Sequence, residues 1–160
     1  MEKVIKLKEA VVLSGSLRSQ GKTVVLVGGC FDILHIGHLH FLERAKKTGD
    51  TLIVALEHDE TVKRLKGADR PIHSQEHRAK ILSSIGIIDH IILLPPMKTH
   101  ADYFSLVENL KPTIIAATSG DPHLKQKRAQ ANMFGSKLKV VTKPIINNST
   151  SRLLKILGID

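Results

Sequence analysis

Aromatic residues and cysteine are the scarcest components of this chain. Its 160 residues include four Phe, one Tyr, no Trp and a single cysteine, Cys30. A single cysteine excludes an intramolecular disulfide and a cysteine-rich metal site. With so few aromatic rings, platforms on which single-stranded nucleic acid could stack are also scarce. These shortages favour a protein of a reducing compartment and disfavour a module that reads single strands.

Long apolar runs are absent as well. No stretch approaches the roughly 18 apolar residues that span a bilayer. Residues 1–9 mix charges with apolar side chains, unlike a signal peptide. We therefore expect a soluble cytoplasmic protein with no membrane partner. At 160 residues and 42% hydrophobic content, the chain is long enough for one domain with a substantial core.

The charge of the chain is strongly basic. Its formal net charge is +9 at pH 7, which favours anionic partners. The basic residues are scattered rather than gathered in one block. We therefore expect phosphate-bearing small molecules as partners, in preference to nucleic acid.

Short aliphatic runs alternate with amphipathic helical segments. The predicted strands are residues 23–27, 51–56, 87–94, 113–117 and 138–142. The predicted helices are residues 9–19, 39–47, 75–85, 101–110, 124–134 and 149–157, with Gly21 and Gly49 ending the first two. This alternation predicts an α/β fold, a three-layer Rossmann-like parallel sheet of about five strands. Such sheets bind ligands beyond the carboxyl ends of their strands.

The segment after the first predicted strand carries the most chemical information. The strand ends at Gly28 and Gly29, where missing side chains let a ligand approach the backbone. A helix then begins near His35 and His38, which are three residues apart and so share one face. Gly37 between them leaves room for a bulky group. Two imidazoles beside the free amides of a helix start predict a polyphosphate cradle.

Two other interpretations of these histidines were weighed. They could be ordinary solvated side chains, but the order of strand, glycine pair and helix argues against that. A zinc site formed by His35, His38 and His40 is weaker, because His38 and His40 face different directions on a helix. No carboxylate or thiol stands at ligand spacing. We therefore predict no protein-bound metal site.

Residues 29–38 (GCFDILHIGH) resemble the signature of the HxGH-type nucleotidyltransferase superfamily, in its cytidylyltransferase-like branch. The resemblance continues through residues 49–50, 59–72, 76–82, 88–91 and 148–151, and it covers about residues 22–158. It implies one nucleotidyltransferase domain over residues 1–160, with a helical lead-in over 1–21 and a catalytic core over 22–158.

Within this branch, the KRLKG stretch at residues 63–67 is most similar to the adenylyltransferase domain of ADP-heptose synthases. Those enzymes transfer AMP from ATP to a heptose 1-phosphate during lipopolysaccharide precursor synthesis. Residues 73–78 are also similar to glycerol-3-phosphate cytidylyltransferases, and FAD synthetases are a third relative. The resemblance implies Mg²⁺ bound with a nucleoside triphosphate, a phosphorylated acceptor, and a homodimer.

The resemblance also implies roles for individual residues. The implied catalytic residues are His35, His38 and Lys66, with Lys63 as the competing lysine. The implied nucleotide-binding residues are Gly29, Cys30, Phe31, Gly37, Gly120, Asp121, Ser149, Thr150 and Ser151. The implied acceptor-binding residues are Asp32, Lys63, Arg70 and Arg78, with orientation of the loop as the alternative role of Asp32. The alternative for the two lysines is a solvated basic run, and for Ser149 a plain N-cap.

Two departures from the relatives bear on the substrate. Residues 117–121 read ATSGD where heptose-type relatives tend to carry Lys-Gly-Gly-Asp, so a basic residue is missing. Residues 143–147 replace the Arg-Thr pair typical of cytidylyltransferases, which argues against a glycerol-phosphate enzyme. Two alternatives of other classes are an RNA-binding module and a fragment of an aminoacyl-tRNA synthetase, whose HIGH motif resembles residues 35–38.

Overall fold

A computed structural model describes residues 3–143, 150–156 and 158 of the chain. These residues form one parallel sheet flanked by helices. The strands are β1 (Val4–Ile5), β2 (Val24–Gly29), β3 (Thr51–Leu56), β4 (His90–Leu93), β5 (Ile114–Thr118) and β6 (Lys137–Thr142). The helices are α1 (Leu7–Ser19), α2 (Ile36–Lys46), α3 (Asp59–Lys66), α4 (Gln75–Ser83), α5 (His100–Leu110), α6 (Leu124–Phe134) and α7 (Thr150–Ile156).

The sheet is covered on both faces, as a parallel sheet requires. Along β2, Val25 and Val27 pack toward α2 and α4, whereas Val24 and Leu26 pack toward α1, α5 and α6. All six residues of β3 are buried. The aliphatic runs of the sequence are therefore strands that contribute side chains to two separate halves of the core.

The order of the strands places the ligand crevice. The sheet runs β1-β4-β3-β2-β5-β6, so the chain builds outward from β2 first toward β4 and then toward β6. The direction reverses between β2 and β5. Ligands of open α/β sheets bind outside the carboxyl ends of the strands at such a switch point. The loop that leads from β2 into α2 lies at this position.

The predicted three-layer architecture is confirmed, and two elements were missed. The five predicted strands are present, but β1 adds a sixth, which pairs with β4. Two residues are too few for a periodic pattern to reveal. Helix α3 was missed because its sequence is mostly charged and buries only Thr61 and Val62.

The two glycines expected to end helices behave differently. Gly21 follows α1 with φ +73°, which confirms the prediction. Gly49 does not end α2, whose C-cap is Lys47. A Cβ on Gly49 would lie 2.6 Å from Cγ2 of Val25, so this glycine is required by close packing against β2. None of the described helices has the length and apolar content to cross a bilayer.

Candidate active site

A cavity of about 530 Å³ opens at the carboxyl ends of β2, β3 and β5. Its wall brings together most of the residues that the sequence singled out. They are Gly29, Cys30, Phe31, Asp32, His35, His38, Lys66, Arg70 and Asp121. The predicted residues therefore converge on one hollow at the switch point of the sheet.

The two histidines form a stacked pair on this wall. His35 is the N-cap of α2, and its Nδ1 accepts a hydrogen bond from the Gly37 N–H at 3.1 Å. The ring of His38 stacks on it, with ring centroids 3.9 Å apart and an interplanar angle of 27°. Because Nδ1 of His35 is an acceptor, its Nε2 carries the proton of the neutral ring.

The amides at the start of α2 differ from the expectation. The Gly37 N–H donates to the His35 ring, and the His38 N–H donates to the His35 carbonyl at 2.9 Å. These two amides are therefore already paired, because His35 caps its own helix. The imidazoles, more than these amides, are the groups offered to a ligand.

The surroundings of both imidazoles favour the neutral form. Burial, and after it repulsion from His35 when that ring is protonated, lowers the pKa of His38 to about 4. Burial also lowers the pKa of His35. Nδ1 of His38 is buried and has no hydrogen-bond partner in the described part of the chain. Buried polar atoms are nearly always paired in folded proteins, so this unpaired nitrogen on the cavity wall makes His38 a candidate functional residue.

The loop between β2 and α2 is held in an unusual conformation. Phe31 has φ +45°, a left-handed value that is uncommon outside glycine. Its ring lies 5.3 Å from the His38 ring, centroid to centroid. A Cβ on Gly29 would come within 2.8 Å of the Phe31 ring. Gly29 therefore also makes room for the Phe31 ring, in addition to lining the cavity as the sequence predicted.

Arg78 holds the cavity wall from behind. Its side chain is completely buried. Its guanidinium donates to the carbonyls of Cys30, Glu57 and His73 and to the Asp59 carboxylate, which lies 2.7 Å away. These contacts tie the ends of β2 and β3 to the starts of α3 and α4. Arg78 therefore supports the site, in place of the direct acceptor contact that the resemblance implied.

Asp32 and Arg70 are paired with each other. Arg70 Nε donates to the Asp32 carboxylate at 2.6 Å, and the Ile72 and His73 N–H groups donate to it at 2.9 and 3.0 Å. Burial alone would raise the pKa of Asp32, but these hydrogen bonds outweigh it and lower the pKa below its ordinary value. Both side chains lie at the wall with their charges already matched, which favours a positioning role over the implied acceptor contact.

The structure separates the two candidate lysines. Lys66, in the last turn of α3, lines the cavity, whereas Lys63 is exposed and is not part of the lining. Asp121 lines the cavity with its carboxylate bound to Lys127, and Gly120 is exposed beside it. Ser149 lies outside the described residues, as do the side chains of Thr150 and Ser151.

Sequence reasoning missed a buried acid on the same wall. Glu57 follows β3 directly, is 7% exposed, and accepts a hydrogen bond from the Tyr103 hydroxyl at 3.1 Å. Burial raises the pKa of its carboxyl group. The sequence did contain a signal. A charged residue that directly follows an apolar strand lies at the carboxyl end of that strand, which is the ligand-binding edge of the sheet.

Comparison with known proteins places the whole core in one family. A profile described as cytidylyltransferase-like matches residues 26–154. An FAD synthase of Pyrococcus abyssi is 38% identical over 136 residues, which cover 82% of this chain and 89% of that protein. The bifunctional protein HldE of Geobacter sulfurreducens is 34% identical over 157 residues, covering 95% of this chain. The chain spans only 31% of that HldE protein.

Solved structures agree on the fold. The lipopolysaccharide core biosynthesis protein of Thermoplasma volcanium superimposes with a TM-score of 0.63 at 30% identity, over 77% of this chain and 97% of that chain. Pantoate-beta-alanine ligase of Francisella tularensis superimposes with a TM-score of 0.67 at 16% identity, over all of this chain and 80% of that one. The second likeness is one of fold alone.

Proposed function

Because the chain belongs to the cytidylyltransferase-like family of nucleotidyltransferases, we propose that it transfers AMP from ATP to a sugar phosphate and releases pyrophosphate. The acceptor we favour is D-glycero-β-D-manno-heptose 1-phosphate, which would give ADP-heptose. The observation that carries the proposal is the stacked pair of imidazoles, His35 and His38, on the wall of a cavity of about 530 Å³. The similarity to HldE proteins supports the choice of acceptor.

The proposed reaction is a single in-line displacement. A phosphate oxygen of the acceptor attacks the α-phosphorus of ATP, the bond from that phosphorus to the β-phosphate oxygen breaks, and pyrophosphate leaves. Such transfers depend on positioning and on stabilising charge more than on covalent catalysis. This requirement fits a site built around two imidazoles, which can position phosphates and stabilise developing charge.

The histidines would act as hydrogen-bond donors to the reacting phosphate. The Nε2 proton of His35 and a ring proton of His38 would meet non-bridging oxygens as negative charge develops on them. Approach of a triphosphate would also raise the pKa of each imidazole, since an opposite charge nearby favours the protonated form. Lys66 on the same wall would offset the repulsion between triphosphate and acceptor phosphate.

Magnesium is the ion that this reaction implies. Within the described ranges, no group of three or more His, Cys, Asp or Glu side chains is arranged to hold a metal. Three carboxylates of the described residues line the cavity. Asp32 and Asp121 are already paired with Arg70 and Lys127, and Glu57, bonded to Tyr103, offers too few oxygens to hold the ion alone. We therefore propose that Mg²⁺ is held chiefly by triphosphate oxygens and water, where it would neutralise their charge.

A second acceptor is favoured by a specific observation. The Pyrococcus FAD synthase is matched along 89% of its length, unlike the much longer HldE proteins. Transfer of AMP to FMN is therefore the alternative, and a glycerol-3-phosphate cytidylyltransferase comes after it. We also propose that the protein is cytoplasmic and acts as a homodimer, which sedimentation equilibrium would test.

The deciding experiment measures pyrophosphate release. ATP and CTP are each combined with heptose 1-phosphate, glycerol 3-phosphate and FMN, in the presence of Mg²⁺. We expect turnover with ATP and heptose 1-phosphate, and none when both His35 and His38 are replaced by Ala. Turnover only with CTP and glycerol 3-phosphate would overturn the proposed substrates. Salt-sensitive RNA binding without any pyrophosphate release would favour the non-catalytic alternative.

A further inference from the structure

Glu57 is a buried acid at the cavity, and one of its carboxylate oxygens has no hydrogen-bond partner among the described residues. The side chain is 7% exposed and lines the cavity. Its Oε1 accepts from the Tyr103 hydroxyl, whereas its Oε2 is buried and has no hydrogen-bond partner among the described residues. An unpaired carboxylate oxygen is costly to bury, so a bound ligand with a hydrogen-bond donor would relieve that cost.

The direction of this side chain is fixed by the backbone. The Glu57 N–H donates to the Gly29 carbonyl at 3.1 Å, and the Glu57 carbonyl accepts from Arg78 at 2.8 Å. Ile53 and Ala55, the alternate residues of β3, both pack on the face of the sheet that α5 covers. Glu57 continues this alternation, which brings its carboxylate to Tyr103 of α5.

The chemistry of the cavity identifies the group that Glu57 can bind. Phosphate is excluded as its partner, because two anions would meet in a buried place. The wall also carries Arg64, Lys66, Lys98 and Lys127, which suit phosphate and would repel a cationic amine. A neutral hydroxyl is the donor that fits both an unpaired carboxylate oxygen and these basic surroundings.

The position of Glu57 in the sheet indicates that this hydroxyl belongs to the acceptor. The switch point at which the triphosphate is proposed to bind lies between β2 and β5. Glu57 follows β3, on the opposite side of β2 from β5. This inference rests on the proposed function. We propose that Glu57, oriented by Tyr103, accepts a hydrogen bond from a hydroxyl group of the acceptor and thereby selects a polyhydroxylated phosphate.

The test compares Michaelis constants in matched variants. Glu57→Gln keeps the shape of the side chain and its bond to Tyr103, but removes the charged acceptor. We expect KM for the acceptor to rise about ten- to hundredfold, the range for a hydrogen bond to a charged group, with KM for ATP unchanged. The control is Glu43→Gln on α2, whose side chain is 53% exposed. It should change neither constant.

A second measurement needs only the wild-type protein and substrate analogues. Singly deoxygenated forms of the acceptor that is turned over are compared with the parent, and one of them should lose about tenfold or more in kcat/KM. Glu57→Gln should not distinguish that analogue from the parent.

Three outcomes would overturn the inference while leaving the proposed function intact. Equal turnover of every deoxy analogue by the wild type is one, and an unchanged acceptor KM in Glu57→Gln is another. A rise in KM for ATP instead would place Glu57 against the nucleotide. Absence of pyrophosphate release from the wild type with every acceptor would overturn the proposed function, and the inference with it.

Discussion

The cavity wall differs from the frame behind it, which consists of Arg78, Asp32 and their hydrogen-bond partners, in whether buried polar groups are paired. In the frame, Arg78 donates to three carbonyls and a carboxylate, and Asp32 accepts from a guanidinium and two backbone amides. On the wall, His38 Nδ1 and Glu57 Oε2 are buried without a partner in the described part of the chain. Paired buried charges hold loops in place, whereas an unpaired buried atom on a cavity wall makes its residue a candidate for ligand binding.

The largest expected effect is on the frame. Replacing Arg78 by Met should lower the free energy of unfolding by about 3 kcal/mol or more, because several buried acceptors lose their donor at once. Urea unfolding followed by circular dichroism measures it. Arg44→Met, at an exposed position of α2, removes the same charge and should cost little. An equally small loss of unfolding free energy in Arg78→Met would show that the buried hydrogen bonds of Arg78 stabilise the protein no more than an exposed arginine does.

The next effect is on the wall. Replacing His35 or His38 by Ala should lower kcat by about 100- to 1000-fold, the range for losing one preorganised donor to a developing charge. Stability should change little by comparison with Arg78→Met. His40→Ala, on the same helix but exposed, is the control and should leave kcat unchanged. Near-normal turnover in either cavity variant would refute the role proposed for the pair.

The third expected effect is a dependence of stability on pH that arises from the buried His38. The pKa of His38 is about 4 in the folded protein against an ordinary 6.5, so the unfolded chain binds more protons between these values. Stability should therefore fall as pH drops from 6.5 toward 4, by about 1 kcal/mol per pH unit. His38→Gln should flatten this slope, and His40→Gln should not. Equal slopes in all three proteins would contradict the burial of a neutral His38.

The smallest effect separates the two lysines. Lys66→Ala should raise KM for ATP about tenfold, since a cation facing phosphate is lost from the cavity. Lys63→Ala should raise it less, because Lys63 lies outside the lining. Steady-state kinetics at constant ionic strength measures both. A larger effect at Lys63 would place the phosphates on the outer side of α3.

The sequence predicted the sheet well because aliphatic runs and helical periods are local patterns. Residues 51–56 read as a covered strand, and β3 has those bounds with all six residues buried. Element β1 has only two residues and α3 is mostly charged, so neither produces a periodic apolar pattern. Gly49 illustrates what local patterns cannot predict. It must lack a side chain because Val25, on strand β2, packs against it.

The sequence by itself was sufficient to identify the family of the chain. It was also sufficient to identify His35 and His38 as a pair. Residues 29–38 carry the family resemblance that the match over residues 26–154 confirms. His35 and His38 share a face because three residues make almost one turn of a helix. Local spacing is sufficient for these conclusions, because a single helix turn and a short signature require no distant contact.

Only the tertiary structure decided which polar residues support the site and which face the ligand. The resemblance implied that Arg78, Asp32 and Arg70 contact substrate. In the structure Asp32 and Arg70 pair with each other across 38 positions, and Arg78 pairs with Asp59 and with backbone carbonyls as far as 48 positions away. Glu57 was not identified from the sequence, although it lies on the cavity wall and its Oε2 has no partner among the described residues. The physical reason is that burial and pairing depend on groups brought together across the sheet, and no local pattern records them.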